Sequence, residues 1–352
     1  MKRWTAGITA AILAAALLLG GCTEAPAGSD GGSSERAISR YESESGVGQN
    51  SSILDNMEKS DGEVSRDLLL QATGNTWSQD QSTLRFSYGG GETVSFFPSD
   101  WTAKIFHKDT LPDEDGSVFI TERKTAVVCA DGDALVIVYS DNQGKSWNTS
   151  QPIPANAIPF RASVMPGMLE SLDAVGCVSL SFVSASCGYL LIGSQLVAHS
   201  QANRVLFRTT DGGQSWRFVD PGLLTEDNGG WKTDSCPTAI PVLQGTGVID
   251  RLFFVDEELG FLCGYTSTEA NTARIIRTRD GGKTGDVRAL PLPASGSDQW
   301  AGVLTPYLQN GTIYLPVKIS DGQTPSRILF FSSADLGETW VYEEAMNRSA
   351  AK

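Results

Sequence analysis

The stretch TTDGGQSW, Thr209 to Trp216, is the reading on which the fold turns. Its skeleton, T-x-D-x-G-x-S-W, is carried by Thr209, Asp211, Gly213, Ser215 and Trp216. It recurs at Ser333, Asp335, Gly337, Thr339 and Trp340. It returns with Asn for Asp at Ser140, Asn142, Gly144, Ser146 and Trp147. A further copy, Thr278, Asp280, Gly282 and Thr284, has Gly285 in place of Trp. A fifth, decayed copy runs through Ser87, Gly89, Gly91 and Thr93 and lacks both the Asp and the Trp. An Asp or Asn side chain bonds nearby backbone and tolerates left-handed dihedrals. A Gly two residues later, Gly213 in the first copy, takes a positive φ with no Cβ clash. The flanking hydroxyls tie the turn, and the Trp opens the next strand with a large ring to bury. Each copy therefore reads as a hairpin tip between two strands, and its Asp as a structural residue.

A second phrase precedes the boxes. It occurs as Phe119 to Ala130 (FITERKTAVVCA), Phe182 to Gly193 (FVSASCGYLLIG) and Phe254 to Gly264 (FVDEELGFLCG), with Asn310 to Val317 (NGTIYLPV) as a fourth copy. Each reads as strand, turn, strand. The boxes carry the pattern of Asp-box (BNR) repeats, and over about residues 84–345 the chain resembles bacterial Asp-box propeller proteins. The two phrases together also resemble the repeats of photosystem II assembly factors. The resemblance implies an all-β fold, a β-propeller of four-stranded antiparallel blades. The box endings Val94, Trp147, Trp216, Gly285 and Trp340 lie 53, 69, 69 and 55 residues apart. A blade needs ~40–50 residues, so the two longer intervals carry insertions, at about 150–176 and 220–247. Such loops lie on one face of a propeller and often carry binding. Five boxes give five blades, with residues 53–83 as the place for a sixth blade or a closing strand.

The N-terminus sets the compartment. Lys2 and Arg3 precede an apolar run from Ile8 to Leu19. That run is too short for a membrane span of ~20 residues and has the form of a secretory signal. Leu19-Gly20-Gly21-Cys22 resembles the bacterial lipobox, which implies a lipoprotein signal peptide at 1–21 and lipid on Cys22. Several acyl chains anchor stably where one does not. Residues 22–52, rich in Gly, Ser and Glu, read as a disordered tether. Residues 53–352 read as the propeller domain, held at the extracytoplasmic face of a bacterial cell membrane. Loss of Lys2 and Arg3 with the signal takes the net charge from −14 to −16. That surface is a poor nucleic-acid binder and is repelled by anionic headgroups. A monomer is expected.

Candidate chemistry is sparse. The two histidines, His107 and His199, lie in no nucleophile signature. The acidic stretch Asp113-Glu114-Asp115-Gly116 lacks the spaced ligands of a calcium loop, and no cofactor or metal is expected. Besides Cys22 there are Cys129, Cys177, Cys187, Cys236 and Cys263, with no CxxC spacing. Reduced core thiols are favoured over a Cys177–Cys187 or Cys187–Cys236 disulfide. Glu257 and Glu258 read as exposed turn residues.

Sialidases resemble this fold, and their site implies three Arg with a Tyr/Glu pair and an Asp. Their F-R-I-P phrase is reduced here to Phe160-Arg161-Ala162-Ser163, after a good box. Arg161, Arg204, Arg251 and Arg274 are available, as are Tyr265 and Tyr307. Trp77, Trp101, Trp231 and Trp300 stand outside the boxes and read as lying outside the repeat core. Trp231 and Trp300 follow Gly-rich stretches, where a ring can stack on a sugar or anchor a protein. The candidate binding residues are Trp231, Trp300 and Arg161. The reading is a lipid-anchored, non-catalytic binding or assembly module for a protein or glycan on the loop face. The alternative is a glycoside hydrolase of sialidase type.

Overall fold

The computed structural model describes residues 61–80, 83–102, 104–105, 116–159, 171–194, 204–219, 248–266, 271–293, 300–320 and 327–343, which all lie in one unit, Ser43–Lys352. Strands β1 (Thr76–Asp80), β2 (Thr83–Tyr88) and β3 (Thr93–Phe96) form blade 1. Blade 2 is β4 (Val118–Ile120), β5 (Thr125–Asp131), β6 (Ala134–Ser140) and β7 (Asn148–Thr149), with β8 (Ile153–Pro154) added to β6. Blade 3 is β9 (Val175–Phe182), β10 (Gly188–Ser194), β11 (Arg204–Thr209) and β12 (Arg217–Phe218). Blade 4 is β13 (Val248–Phe254), β14 (Gly260–Thr266), β15 (Thr272–Thr278) and β16 (Asp286–Pro291). Blade 5 is β17 (Trp300–Val303) with β18 (Tyr307–Gln309), then β19 (Thr312–Ser320), β20 (Arg327–Ser333) and β21 (Val341–Tyr342). All pairings are antiparallel, and the five blades make a β-propeller. Blade 1 shows three strands among the described residues.

Each box sits between the last two strands of its blade, and its side chains close the turn on themselves. Asp211 Oδ1 accepts from the Thr209 hydroxyl at 2.8 Å and the Ser215 amide at 2.9 Å, and its Oδ2 accepts from the Ser215 hydroxyl at 2.5 Å. Asp280 and Asp335 repeat the set. In blade 2, Asn142 accepts twice through Oδ1 and donates through Nδ2 to the Ser146 hydroxyl at 2.8 Å.

The box glycines hold the left-handed backbone that the pattern asks for, with φ of 74° at Gly144, 97° at Gly213, 90° at Gly282 and 81° at Gly337. Each also donates its amide to the hydroxyl that opens its box. Gly213 bonds Thr209 Oγ1 at 2.9 Å, and the other three bond their Ser or Thr at 2.8 Å. Their side-chain space differs, which the turn chemistry alone does not show. A Cβ at Gly213 would rest at ordinary contact, 3.5 Å from the rings of Phe182 and Tyr139, so only its dihedral demands glycine. A Cβ at Gly337 would strike the Phe261 ring at 2.5 Å, and those at Gly144 and Gly282 would collide with Ser95 and Leu206. At these three the neighbouring blade demands glycine as well.

The decayed copy in blade 1 has positive φ at Gly89, Gly90 and Gly91. There Asn75 Oδ1 accepts from the Gly89 amide at 3.3 Å, supplying from the start of the blade a carbonyl that the turn itself lacks. In blade 4 the box Trp position is Gly285, where a Cβ would meet an Ile276 methyl at 2.6 Å.

The core lies in the seams between blades. Box Trp147 packs on Phe86 and Phe97 of blade 1, and Trp340 on Phe261 of blade 4. Trp216 meets Phe182 edge to face in the seam between blades 2 and 3. The Phe of the second phrase covers a glycine on the facing strand. A Cβ at Gly188 would strike the Phe182 ring at 2.6 Å, and one at Gly260 the Phe254 ring at 2.5 Å. These glycines let an aromatic ring lie flat on backbone. The first strands of blades 3 and 4 are bridged by hydroxyls: Leu252 and Phe254 donate their amides to Ser179 and Ser181 at 3.2 and 3.1 Å.

Helix α1 (Asp61–Thr73) joins the ends of the ring. Leu68 is buried with Leu304 and Phe330 of blade 5, and Leu69 packs on the blade 1 cluster. Among the described residues this closing cluster holds three buried residues, against seventeen between blades 2 and 3, and is the smallest of the five clusters. Within 53–83, the place for a sixth blade or a closing strand, residues 61–73 are thus helical and Thr76–Asp80 is a strand of blade 1. The helix does the joining because its DLLL run presents adjacent leucines to two different sheets. One correction concerns Trp77. It is buried in the seam between blades 1 and 2, with Trp101 packed against the same cluster, rather than standing outside the core.

Candidate functional site at the loop ends of blades 3 and 4

The chain direction separates the two faces. Box hairpins and first-to-second turns share one end of each blade. The second-to-third turns share the other end with the strand ends that lead into the intervals 150–176 and 220–247. At that loop end, blades 3 and 4 each carry a register shift, between Gly193 and Ser194 and between Ile249 and Arg251. β-Bulges of this kind re-aim side chains beside functional sites.

One arginine spans both irregularities. Arg204, 2% exposed, donates through Nη1 to the Ser194 carbonyl at 3.3 Å and through Nε to the Ile249 carbonyl. It reaches blade 4 because its cross-strand partner is Gly193. A Cβ there would stand 2.8 Å from the guanidinium carbon and collide with Cys177 Sγ. The bulged Asp250 accepts from Arg251 Nη1 at 3.1 Å, with its side chain 19% exposed and that of Arg251 buried. The result is a braced polar rim with a part-exposed carboxylate, able to accept from a ligand hydroxyl or amide.

The other predicted residues fall as follows. Arg274, on β15, is half-buried. Tyr307 stacks on Tyr314 at 5.4 Å, and burial, with Tyr314 beside it, pushes its phenol up. Tyr265 lies at the end of β14 and Trp300 begins β17, both at the loop end. Cys22, Arg161, Trp231, His107, His199, Cys236 and Asp113 to Asp115 lie outside the described residues. Among the described residues no group of three His, Cys, Asp or Glu could hold a metal ion. Cys129, Cys187 and Cys263 are buried thiols without a disulfide, so neither pairing through Cys187 forms. Burial pushes the Cys263 thiol up to about 12.

The box face holds chemistry that the sequence reading passed over. Lys124, its side chain 2% exposed, donates to the Gly212 carbonyl at 2.8 Å and pairs with Asp141 at 2.5 Å. Its ammonium lies 4.6 Å from the Tyr139 ring and 5.0 Å from that of Phe182, the two rings that also flank Gly213. In the next seam Arg208 pairs with Glu257 and lies over the Tyr189 ring, whose hydroxyl donates to the Glu257 carbonyl at 2.5 Å. Glu257 is therefore a seam contact as well as a turn residue. In the seam between blades 4 and 5, buried Arg277 binds Asp286 at 3.3 Å and Glu338 at 2.9 Å. Of these three cations, sequence showed only Arg208 and Arg277 beside a box, one residue before Thr209 and Thr278. Lys124 comes from a different turn.

Fold and site together describe a five-bladed propeller with a braced polar rim opposite its Asp-box turns. No protein family and no curated relative matches the chain. Among solved structures, the chain is similar to a Trypanosoma rangeli sialidase in complex with sialic acid, at 14% identity and a TM-score of 0.40, over 77% of this chain and 42% of that one. It is similar to a GH74 xyloglucanase from Xanthomonas campestris at 15% identity and 0.36, over 74% and 34%. A Bacteroides ovatus xyloglucan-locus GH43B protein gives 12% and 0.35, over 65% and 40%. The chain thus spans less than half the length of these proteins.

Proposed function

We propose that this protein is an envelope-anchored, non-catalytic binding module that recognises a protein or glycan on its loop face. The observation that carries the reading is the rim of blades 3 and 4. Arg204 ties two bulges together there, and Asp250 is held part-exposed by Arg251. A fixed acceptor on a braced rim suits recognition of hydroxyls or amides, because little freedom is lost on binding. The carboxylates of Asp211, Asp280 and Asp335 are spent on their own turns at the opposite face. Attachment through lipid on Cys22 would place this face outside the cytoplasm, and Cys22→Ser should release the protein from membranes.

Capture from envelope extracts and a glycan array would find the ligand, and titration with Asp250→Ala and Trp231→Ala would locate it. Both variants should bind more weakly per folded molecule; Trp231→Ala should melt within a few degrees of the parent, whereas Asp250→Ala also removes the ion pair of the buried Arg251 and should melt earlier. Unchanged binding by both would sink the reading. The second reading is a sialidase-type hydrolase, favoured by the arrival of Arg204 and Arg251 at one rim. It predicts turnover of a fluorogenic sialoside that is lost in Arg251→Ala.

A further inference from the structure

Among the described residues the exposed large apolar side chains are Leu70, Val94, Phe96, Leu308, Leu336 and Val341, all in α1, blade 1 or blade 5. Val94 and Phe96, 39% and 57% exposed, stand on β3, the outermost strand of blade 1, whose one neighbour among the described residues is β2. The backbone of the same two residues is open. Phe97 donates its amide to the Leu84 carbonyl at 2.9 Å, and the register continues as Arg85↔Phe96, Phe86↔Ser95, Ser87↔Val94 and Tyr88↔Thr93. Bonded and non-bonded pairs alternate along an antiparallel ladder. Thr93 and Ser95 are therefore bonded to β2, while Val94 and Phe96 turn their N–H and C=O to the outside. Folds guard such edges with charge or by keeping them short. The outer strands β7, β12 and β21 have two residues each, and β16 carries Asp286 and Arg288. β3 reads TVSF, four residues without charge.

We propose that β3 pairs with the β3 of a second copy of this chain, antiparallel about a two-fold axis at Ser95. The register selects this occupant. A two-fold there sets Val94 opposite Phe96 of the copy and Phe96 opposite its Val94, joining the residues that are open on both strands. Each such pair exchanges two hydrogen bonds and sets a β-branched side chain beside an aromatic, a favourable cross-strand match. Ser95 points the other way, toward Gly144 of blade 2, so the inner packing is untouched. Charge agrees. A chain of net charge −14 repels its copy, and the uncharged strand is a place of contact where Glu92 falls opposite Pro98 rather than an acid. A single strand pair is a small interface, so association is weak and depends on concentration. Confinement to one membrane would strengthen it through effective concentration.

Sedimentation velocity of the purified chain over a concentration series should show a reversible dimer. Phe96→Lys should leave a monomer whose melting temperature stays within a few degrees of the parent. Mixed Val94→Cys and Phe96→Cys chains should cross-link under mild oxidation well above the background of either variant alone. A parent that stays monomeric at its highest soluble concentration overturns the proposal, as does a dimer that survives Phe96→Lys. A monomeric parent destabilised by Phe96→Lys would show instead that the chain covers this edge itself.

Discussion

Asp211→Ala removes three acceptor contacts from the blade 3 box: the Thr209 hydroxyl at 2.8 Å, the Ser215 amide at 2.9 Å and the Ser215 hydroxyl at 2.5 Å. Asp211 is exposed and Ser215 half-buried, so water replaces part of what the carboxylate supplies there, whereas Thr209 is buried. The loss is then about 1–3 kcal/mol, the range for turn bonds to a charged group with partial re-solvation. In a domain of this size each kcal/mol lowers the melting temperature by ~2–4 °C. Asp211→Asn separates shape from charge, because Asn142 already holds the equivalent turn of blade 2. It should cost clearly less than Ala at neutral pH. The two variants also differ in acid. Burial opposes ionisation of Asp211, but the hydroxyl and amide of Ser215 and the Thr209 hydroxyl outweigh it and hold the carboxyl at about 2, below its ordinary 3.8. A carboxyl depressed in the folded state stabilises fully above its unfolded value and loses that contribution as pH falls toward 2. Urea unfolding at pH 7 and pH 3 should therefore show Asp211→Asn losing less stability on acidification than the parent. An Ala variant with an unchanged midpoint and no ligand binding would refute the structural assignment of the box and make Asp211 a contact residue.

Three further outcomes follow from the packing. Lys124→Met should destabilise by about 1–3 kcal/mol, the lost charge-assisted bond and ring contacts outweighing the relief of desolvation; a more stable variant would show that the ammonium is a net cost. Gly260→Ala should lower the melting temperature by several degrees, because its Cβ meets the Phe254 ring at 2.5 Å, and Gly260→Ala with Phe254→Leu should recover part of that fall. Leu336→Gly should raise the melting temperature slightly. Leu336 holds a φ of 59° at a box position where Gly212 and Gly281 stand, and its side chain is 52% exposed, so relief of left-handed strain exceeds lost packing.

The blades were legible because their information is local. T-x-D-x-G-x-S-W closes its own turn within eight residues, so a hairpin can be read without knowing what surrounds it. Gly213 was legible in full, since its dihedral is its whole reason, whereas the crowding at Gly144, Gly282 and Gly337 comes from other blades. Asn75 escaped notice because it serves Gly89 from fourteen residues away. Lys124 escaped because its carbonyl partner is 88 residues on, in another blade. Trp77 looked free for lack of a box around it, yet β1 needs a ring toward blade 2 whether or not a turn motif advertises one. At the rim, Arg204 was one cation among several in sequence. Its reach follows from register, which sets Gly193 across from it, and register is fixed by strand pairing rather than by any motif.

The small closing cluster has a mechanical consequence. The polypeptide leading from Cys22 enters the described structure at Asp61, the first residue of α1. Tension on that segment is delivered to Leu68 and Leu69 before any blade feels it. Pulling on that segment therefore loads the packing of α1 against blades 1 and 5 first. A pull between the N-terminus and blade 3 should accordingly give a small first rupture that Leu68→Ala makes smaller still.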